Sequence, residues 1–164
     1  MKRYLALVLC LLLAAGTLSV AASAEGMKIF ALTPNEDHGW TGSIATFAKQ
    51  AVDEINAEGK YEAQLLTEGG PEEQIQQIED ILANNKPGEY SVAMLPYDDT
   101  VEAAVAQLMD AGVPVIMVDR IITSQADRAV ANVKGDNEGT GAAAAWYLTN
   151  KGMKPGDRVY VMEG

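Results

Sequence analysis

The chain has 164 residues, with 12 basic against 23 acidic side chains, a formal net charge of −11 and a single cysteine. A chain this acidic lacks the clustered Lys and Arg that phosphate binding needs, which argues against nucleic acid and against an anionic membrane surface as partners. One cysteine cannot form an internal disulfide, so the fold has to rest on an ordinary hydrophobic core.

Lys2 and Arg3 open the chain, and Leu5 to Ala15 is almost wholly apolar. Ala22-Ser23-Ala24 then puts small residues where a signal peptidase reads, so residues 1–24 read as an export signal cleaved before Glu25. The alternative is a retained membrane anchor, since Tyr4 to Ala24 carries no charge. Gly16, Thr17 and Ser19 weaken the apolar run and favour cleavage. Cys10 follows Leu9 in mid-run, whereas a lipidated cysteine follows a small residue at the end of such a run. The mature protein is then cysteine-free and not embedded in a membrane. Ten basic residues against 23 acidic ones give it a net charge of −13.

Beyond the leader, apolar strands and amphipathic helices alternate. Lys28 to Leu32 is a first strand, and Ile44, Phe47, Ala48, Ala51 and Ile55 follow helical spacing up to Gly59. Tyr61 to Thr67 alternates as a second strand. Gly69-Gly70 breaks the chain, Pro71 suits the first position of a helix, and Glu72 and Glu73 favour the same end through the helix dipole. Ile75, Ile78 and Leu82 form that helix's stripe, and Lys86-Pro87-Gly88 stops it.

Ser91 to Leu95 is a third strand. Asp99-Thr100-Val101-Glu102 has the form of a capping box for a helix that runs to Gly112. Pro114 to Val118 is a fourth strand and Ala129 to Val133 a fifth. A helix from about Glu138 to Asn150 and a strand from Arg158 to Met162 close the pattern. Strands separated by helix-length stretches predict an α/β fold with a doubly wound parallel sheet. The chain ends at Gly164, directly after that last predicted strand, and so reads as truncated.

The fourth strand ends in Asp119 and Arg120. Ligands of open α/β sheets bind beyond the carboxyl ends of the strands. There a carboxylate and a guanidinium supply acceptors beside a rigid fork of donors, which suits a polyhydroxylated ligand. The alternative is that Asp119 caps the next element and Arg120 pairs with it at the surface. The loop after the first strand reads Thr33-Pro34-Asn35-Glu36-Asp37-His38-Gly39-Trp40. Trp40 is the stacking candidate, because an indole covers the C–H face of a sugar ring; otherwise it is a core or lobe-interface tryptophan. Asn35 after Pro34 is a second candidate or a turn residue. His38, the sole histidine, is a hydrogen-bonding or solvated residue and no metal ligand, since no second His or Cys joins it. Tyr97 and Asp98, after the third strand, face the same side.

In order and spacing, Ala111-Gly112-Val113-Pro114-Val115 leading to Asp119-Arg120, and Gly135-Asp136-Asn137-Glu138-Gly139 opening a helix, resemble the ribose-like sugar-binding branch of the type I periplasmic binding proteins. The resemblance covers essentially residues 27–164. It implies two α/β lobes joined by three hinge strands, with ligand held in the cleft between them. Residues 25–135 would be the N-terminal lobe. Residues 136–164 would be a hinge crossover, at Asp136 and Asn137, and the beginning of a second lobe whose remainder is missing. The resemblance also implies that Asp119 and Arg120 hydrogen-bond sugar hydroxyls. The first loop departs from the commoner Asn-Pro-aromatic-aromatic form, and its spacing to the following helix is longer.

A receptor of this kind captures a sugar or polyol and delivers it to the membrane permease of an ABC importer. It acts as a monomer, without cofactor or metal. A sugar-sensing receptor for chemotaxis or for a sensor kinase would share every feature. A flavodoxin-like or Rossmann-like enzyme is the rival class, and the sequence offers it no Gly-x-Gly-x-x-Gly after the first strand, no Gly-x-Ser-x-Gly and no phosphate loop. The ligand-sensing half of a transcription repressor shares the expected fold, but such proteins begin with a DNA-reading helix pair rather than an export signal.

Overall fold

The computed structural model describes residues 26–35 and 39–160. The predicted export signal, His38 and the end of the last predicted strand lie outside the described residues. In chain order the elements are β1 (Lys28–Pro34), α1 (Gly39–Glu58), β2 (Glu62–Glu68), α2 (Pro71–Asn84) and β3 (Tyr90–Met94). A 3-10 turn (Asp99–Val101) leads into α3 (Glu102–Asp110), followed by β4 (Val115–Val118), a 3-10 segment (Thr123–Arg128), β5 (Ala131–Val133) and α4 (Asn137–Asn150). The chain divides into two compact units, one through Val133 and one from Lys134 onward.

The first unit is built on a five-stranded sheet of order β2-β1-β3-β4-β5, with every neighbouring pair parallel. The strand order reverses between β1 and β3, the point at whose carboxyl-end loops open α/β sheets bind their ligands. Register places Phe30 beside Val92 and Leu32 beside Met94, then Val92 beside Val115 and Met94 beside Met117. These side chains share one face and are buried with Ile78 and Ile81 of α2 and Ala104, Val105 and Leu108 of α3. Each fully buried Leu, Ile, Val or Met contributes about 1.5–3 kcal/mol relative to exposure. Phe30 meets Tyr90 edge to face, with ring centroids 5.8 Å apart.

The other face is covered by α1, which packs on β1 and β2. Ala93, Ile116 and Val118, further across the sheet, are only partly buried. This accounts for a departure from the predicted helix stripe: Val52 is buried, whereas Phe47 is 68% exposed because α1 does not extend over β3 and β4. Gly59 ends α1 with φ of +68°, a conformation that a Cβ would strain.

Two local expectations are corrected. Asp98, not Asp99, caps the 3-10 turn, its carboxylate accepting from the Thr100 backbone N–H at 2.8 Å. Glu102 does not close a capping box at that turn: its carboxylate accepts from the Ser124 hydroxyl at 2.5 Å. The earlier residue wins because its extended backbone aims the carboxylate into the turn. In the second unit, residues 158–160 form no strand, because no partner strand is described there and an unpaired strand has no ladder to join. That unit consists of α4, capped by Asp136 accepting from the Gly139 N–H at 2.8 Å, and the turns that follow it. No described helix is long and apolar enough to cross a membrane.

Candidate functional site

Asp119 leaves β4 with φ of +63°, the one non-glycine residue with positive φ among those described. The turn is closed by the Arg120 backbone N–H donating to the Val118 carbonyl at 2.8 Å, while the Asp119 N–H donates to Val133 of β5 at 2.7 Å. An L-residue in this region costs about 1–2 kcal/mol, which Asp and Asn tolerate best. Strain of this kind, pinned by two hydrogen bonds, collects at ligand sites. Its effect here is to turn two consecutive side chains toward different partners.

The Asp119 carboxylate accepts the Trp40 indole N–H at 2.9 Å. Trp40 lies in the first turn of α1 and is 66% exposed, so it belongs to neither core nor covered interface within its unit. Arg120 sends its guanidinium to the β3 exit loop, where Nη1 donates to the Tyr97 carbonyl and, at 3.5 Å, to the Pro96 carbonyl. The surface-pair alternative for Asp119 and Arg120 is therefore replaced by bonds from each to a different loop. The guanidinium fork has further N–H donors beyond Nη1.

Asp98 sits one residue beyond Tyr97. Hydrogen bonds from the hydroxyl and backbone N–H of Thr100 hold its carboxyl below the ordinary range, with the nearby Arg120 charge adding to the effect. Asn35 is placed at the end of β1, its backbone N–H donating to the Glu68 carbonyl at 2.6 Å. Asp98, Asp119 and Arg120 thus come from the exits of β3 and β4 and Trp40 from the first turn of α1, the helix that follows β1, beside the point where strand order reverses. Asp136 and Asn137 open α4 in the second unit, Asp136 as its cap. Among the described residues no group of three or more His, Cys, Asp or Glu could hold a metal ion.

Sequence reasoning missed Glu68 and Gln74. Glu68 ends β2 and is 1% exposed, and Gln74 in α2 is fully buried. Gln74 Nε2 donates to Glu68 Oε1 at 2.5 Å and to the Leu95 carbonyl at 3.0 Å. Burial raises the Glu68 carboxyl to about 7, against the lowering effect of the Gln74 bond, and the Glu73 charge raises it further. No local signal marked either one: Glu68 falls in the polar phase of β2 with Glu62 and Gln64, and Gln74 reads as a surface helix residue by type. A groove of about 360 Å³ between β1, β2 and α2, lined by Phe30, Gln64, Leu66 and Gln77 among others, lies away from Asp119 and Arg120.

Residues 29–164 match the family model of the periplasmic binding protein domain. The chain belongs to this family, in its type I branch. Among solved structures, a galactofuranose binding protein is 18% identical with a TM-score of 0.58, covering 76% of this chain and 41% of that one. The LacI family transcriptional regulator CCPA from Weissella paramesenteroides, solved with bound glucose, is 16% identical with a TM-score of 0.55, covering 76% and 42%. A type II dehydroquinase from Butyrivibrio crossotus is 14% identical with a TM-score of 0.50, covering 76% and 98%. Such likenesses show the fold alone: a parallel α/β lobe that a periplasmic binding protein shares with a regulator and an enzyme. The chain spans less than half the length of the first two. Among curated protein sequences none matches.

Proposed function

We propose that the protein is an exported solute-binding protein that holds a neutral sugar or polyol without metal and passes it to the membrane permease of an ABC importer. The observation that carries this reading is the convergence of Trp40, Asp119 and Arg120 at the strand-order reversal. A carboxylate accepts from hydroxyls, a guanidinium donates to them, and an indole face covers the ring's C–H surface. Together they match the alternating polar rim and apolar face of a sugar. Residues 25–135 act as one lobe of the cleft, with Asp136 and Asn137 in the crossover to a second lobe. Asn35 and Asp98 complete the rim on the first lobe's side, and His38 is a further hydrogen-bonding candidate for the ligand. The protein works as a monomer, and export removes residues 1–24, so that the mature chain begins at Glu25.

Isothermal calorimetry tests this reading against a panel of monosaccharides and polyols that includes galactofuranosides and glucose, with amino acids and divalent cations as controls. Binding of at least one sugar or polyol, unchanged by a chelator, is the expected result. Tight binding of an amino acid or a metal, with silence across the sugars, would overturn it.

A further inference from the structure

Beneath the loop that receives Arg120 runs a continuous chain of hydrogen bonds. Both N–H groups of the Gln74 amide are committed, to Glu68 Oε1 and to the Leu95 carbonyl, and its oxygen accepts the Tyr97 backbone N–H at 2.9 Å. The Tyr97 carbonyl accepts from Arg120, and the Tyr97 hydroxyl donates to the Gly69 carbonyl at 3.4 Å. With both donors and the acceptor engaged, the Gln74 amide cannot flip without breaking the chain. Glu68, Leu95, Tyr97 and Arg120 lie at or just beyond the carboxyl ends of β2, β3 and β4, and Gln74, in the second turn of α2, joins the first three.

We propose that Glu68 and Gln74 are positioning residues for the sugar site, fixing the β3 exit loop on which the Arg120 guanidinium docks, with the proton on Glu68 governing how firmly that loop is held. The assignment to a sugar rests on the function proposed above; the positioning of Arg120 does not. Gln74 alone would be explained by the need to satisfy buried backbone groups. Glu68 is not so explained, because its Oε2 is buried with no partner among the described residues. A neutral carboxyl tolerates that place far better than a carboxylate does. Loss of the proton draws the carboxylate toward water, and the Gln74 amide bonded to it follows, releasing Tyr97 and the carbonyl that Arg120 uses.

The groups around Glu68 set the direction of this response. On α2, the carboxylate of Glu73 accepts the Gly69 N–H at 2.6 Å and disfavours a second negative charge beside it. From β1 come Pro34, in register with Glu68, and Asn35. The β3 exit contributes Leu95 and Tyr97, with Asp98 and Arg120 beyond them. Burial and Glu73 both favour the proton, and the Gln74 bond opposes them.

NMR of the protein labelled with ¹³C and ¹⁵N reads each link without a ligand. The Glu68 carboxyl carbon is expected to titrate near pH 7, with the Tyr97 amide and the Arg120 guanidinium shifting at the same midpoint. In Glu68→Gln the Arg120 and Tyr97 resonances hold their low-pH positions throughout. A response carried by any group other than Glu68 persists in that variant, so the comparison assigns the midpoint to Glu68. In Gln74→Met, Glu68 still titrates but Arg120 no longer follows. Should Gln74→Met fail to fold, the Glu68→Gln arm decides alone. A Glu68 titration that leaves Arg120 unmoved, or an Arg120 shift that survives Glu68→Gln, overturns the proposal. Calorimetry with the sugar panel from about pH 6 to about pH 8 adds the functional arm, where affinity falls in the native protein and stays level in Glu68→Gln. If no sugar binds, the sugar reading fails while the resonances still decide the positioning.

Discussion

Trp40 and Asp119 are 79 residues apart in the chain and are joined by a 2.9 Å hydrogen bond from indole to carboxylate. The bond ties the start of α1 to the strained exit of β4. It fixes the edge of an exposed ring whose face remains available for stacking. Replacing the indole separates the two contributions. Trp40→Phe keeps a ring but loses the N–H, and is expected to weaken sugar binding less than Trp40→Ala. Ligand should also change Trp40 fluorescence. Trp146, exposed on α4, is the control and should respond less. Titrations in Trp40→Phe and Trp146→Phe backgrounds read the two signals apart.

Asp119 carries two costs that a pair of variants resolves. Asp119→Gly and Asp119→Ala both lose the carboxylate, and only alanine still suffers the positive φ. In urea denaturation Asp119→Gly should therefore exceed Asp119→Ala in stability by about 1 kcal/mol. Equal stabilities would show that the turn relaxes at no cost. Both variants should bind the sugar more weakly, by about 2–4 kcal/mol, since each leaves a polar ligand group without its charged partner.

Glu68 makes folding stability depend on pH with a definite sign. Its carboxyl is raised from 4.5 to about 7 in the folded protein. Below about pH 4.5 both folded and unfolded chains hold the proton, and the group imposes no penalty. Between 4.5 and 7 the folded chain binds more protons than the unfolded one, so stability falls as pH rises. Above about 7 the loss is complete and amounts to about 3 kcal/mol at most. Glu68→Gln should flatten this part of the profile. Denaturation midpoints across that range check it, and a profile unchanged by the substitution would show that Glu68 ionises without penalty.

The alternation of strands and helices was legible because period and punctuation agree from β1 to β5: short apolar runs, helical stripes, and Gly or Pro at the breaks. The place of Asp119 and Arg120 at the exit of β4 was legible for a related reason, since a charged pair closes the apolar run there. Their partners were not. A backbone φ of +63° at Asp119 and a bond across 79 residues leave no local trace in the sequence. Phe47 misled for the opposite reason, since helical spacing reports a stripe but not how much of it a neighbour covers. Asp98 and Asp99 are adjacent acids, and only backbone geometry decides which one caps. Glu68 and Gln74 look like surface residues by type, and burial alone reveals them.

Arg120 offers a further separation of binding from folding. Its guanidinium is exposed and docks on loop carbonyls outside the core. Arg120→Ala should reduce sugar affinity by about 2–4 kcal/mol while shifting the urea midpoint little. A sharp loss of stability with affinity intact would mark Arg120 as a structural clamp for the β3 exit loop instead.

The structure of the protein with the sugar that calorimetry selects tests the central claim most directly. The account predicts ligand hydroxyls within hydrogen-bond distance of Asp119 and Arg120, with one ring face against Trp40 and no metal between them. A sugar bound elsewhere, for example in the groove beside Gln64 and Gln77, with Asp119 and Arg120 still holding only protein partners, would contradict it.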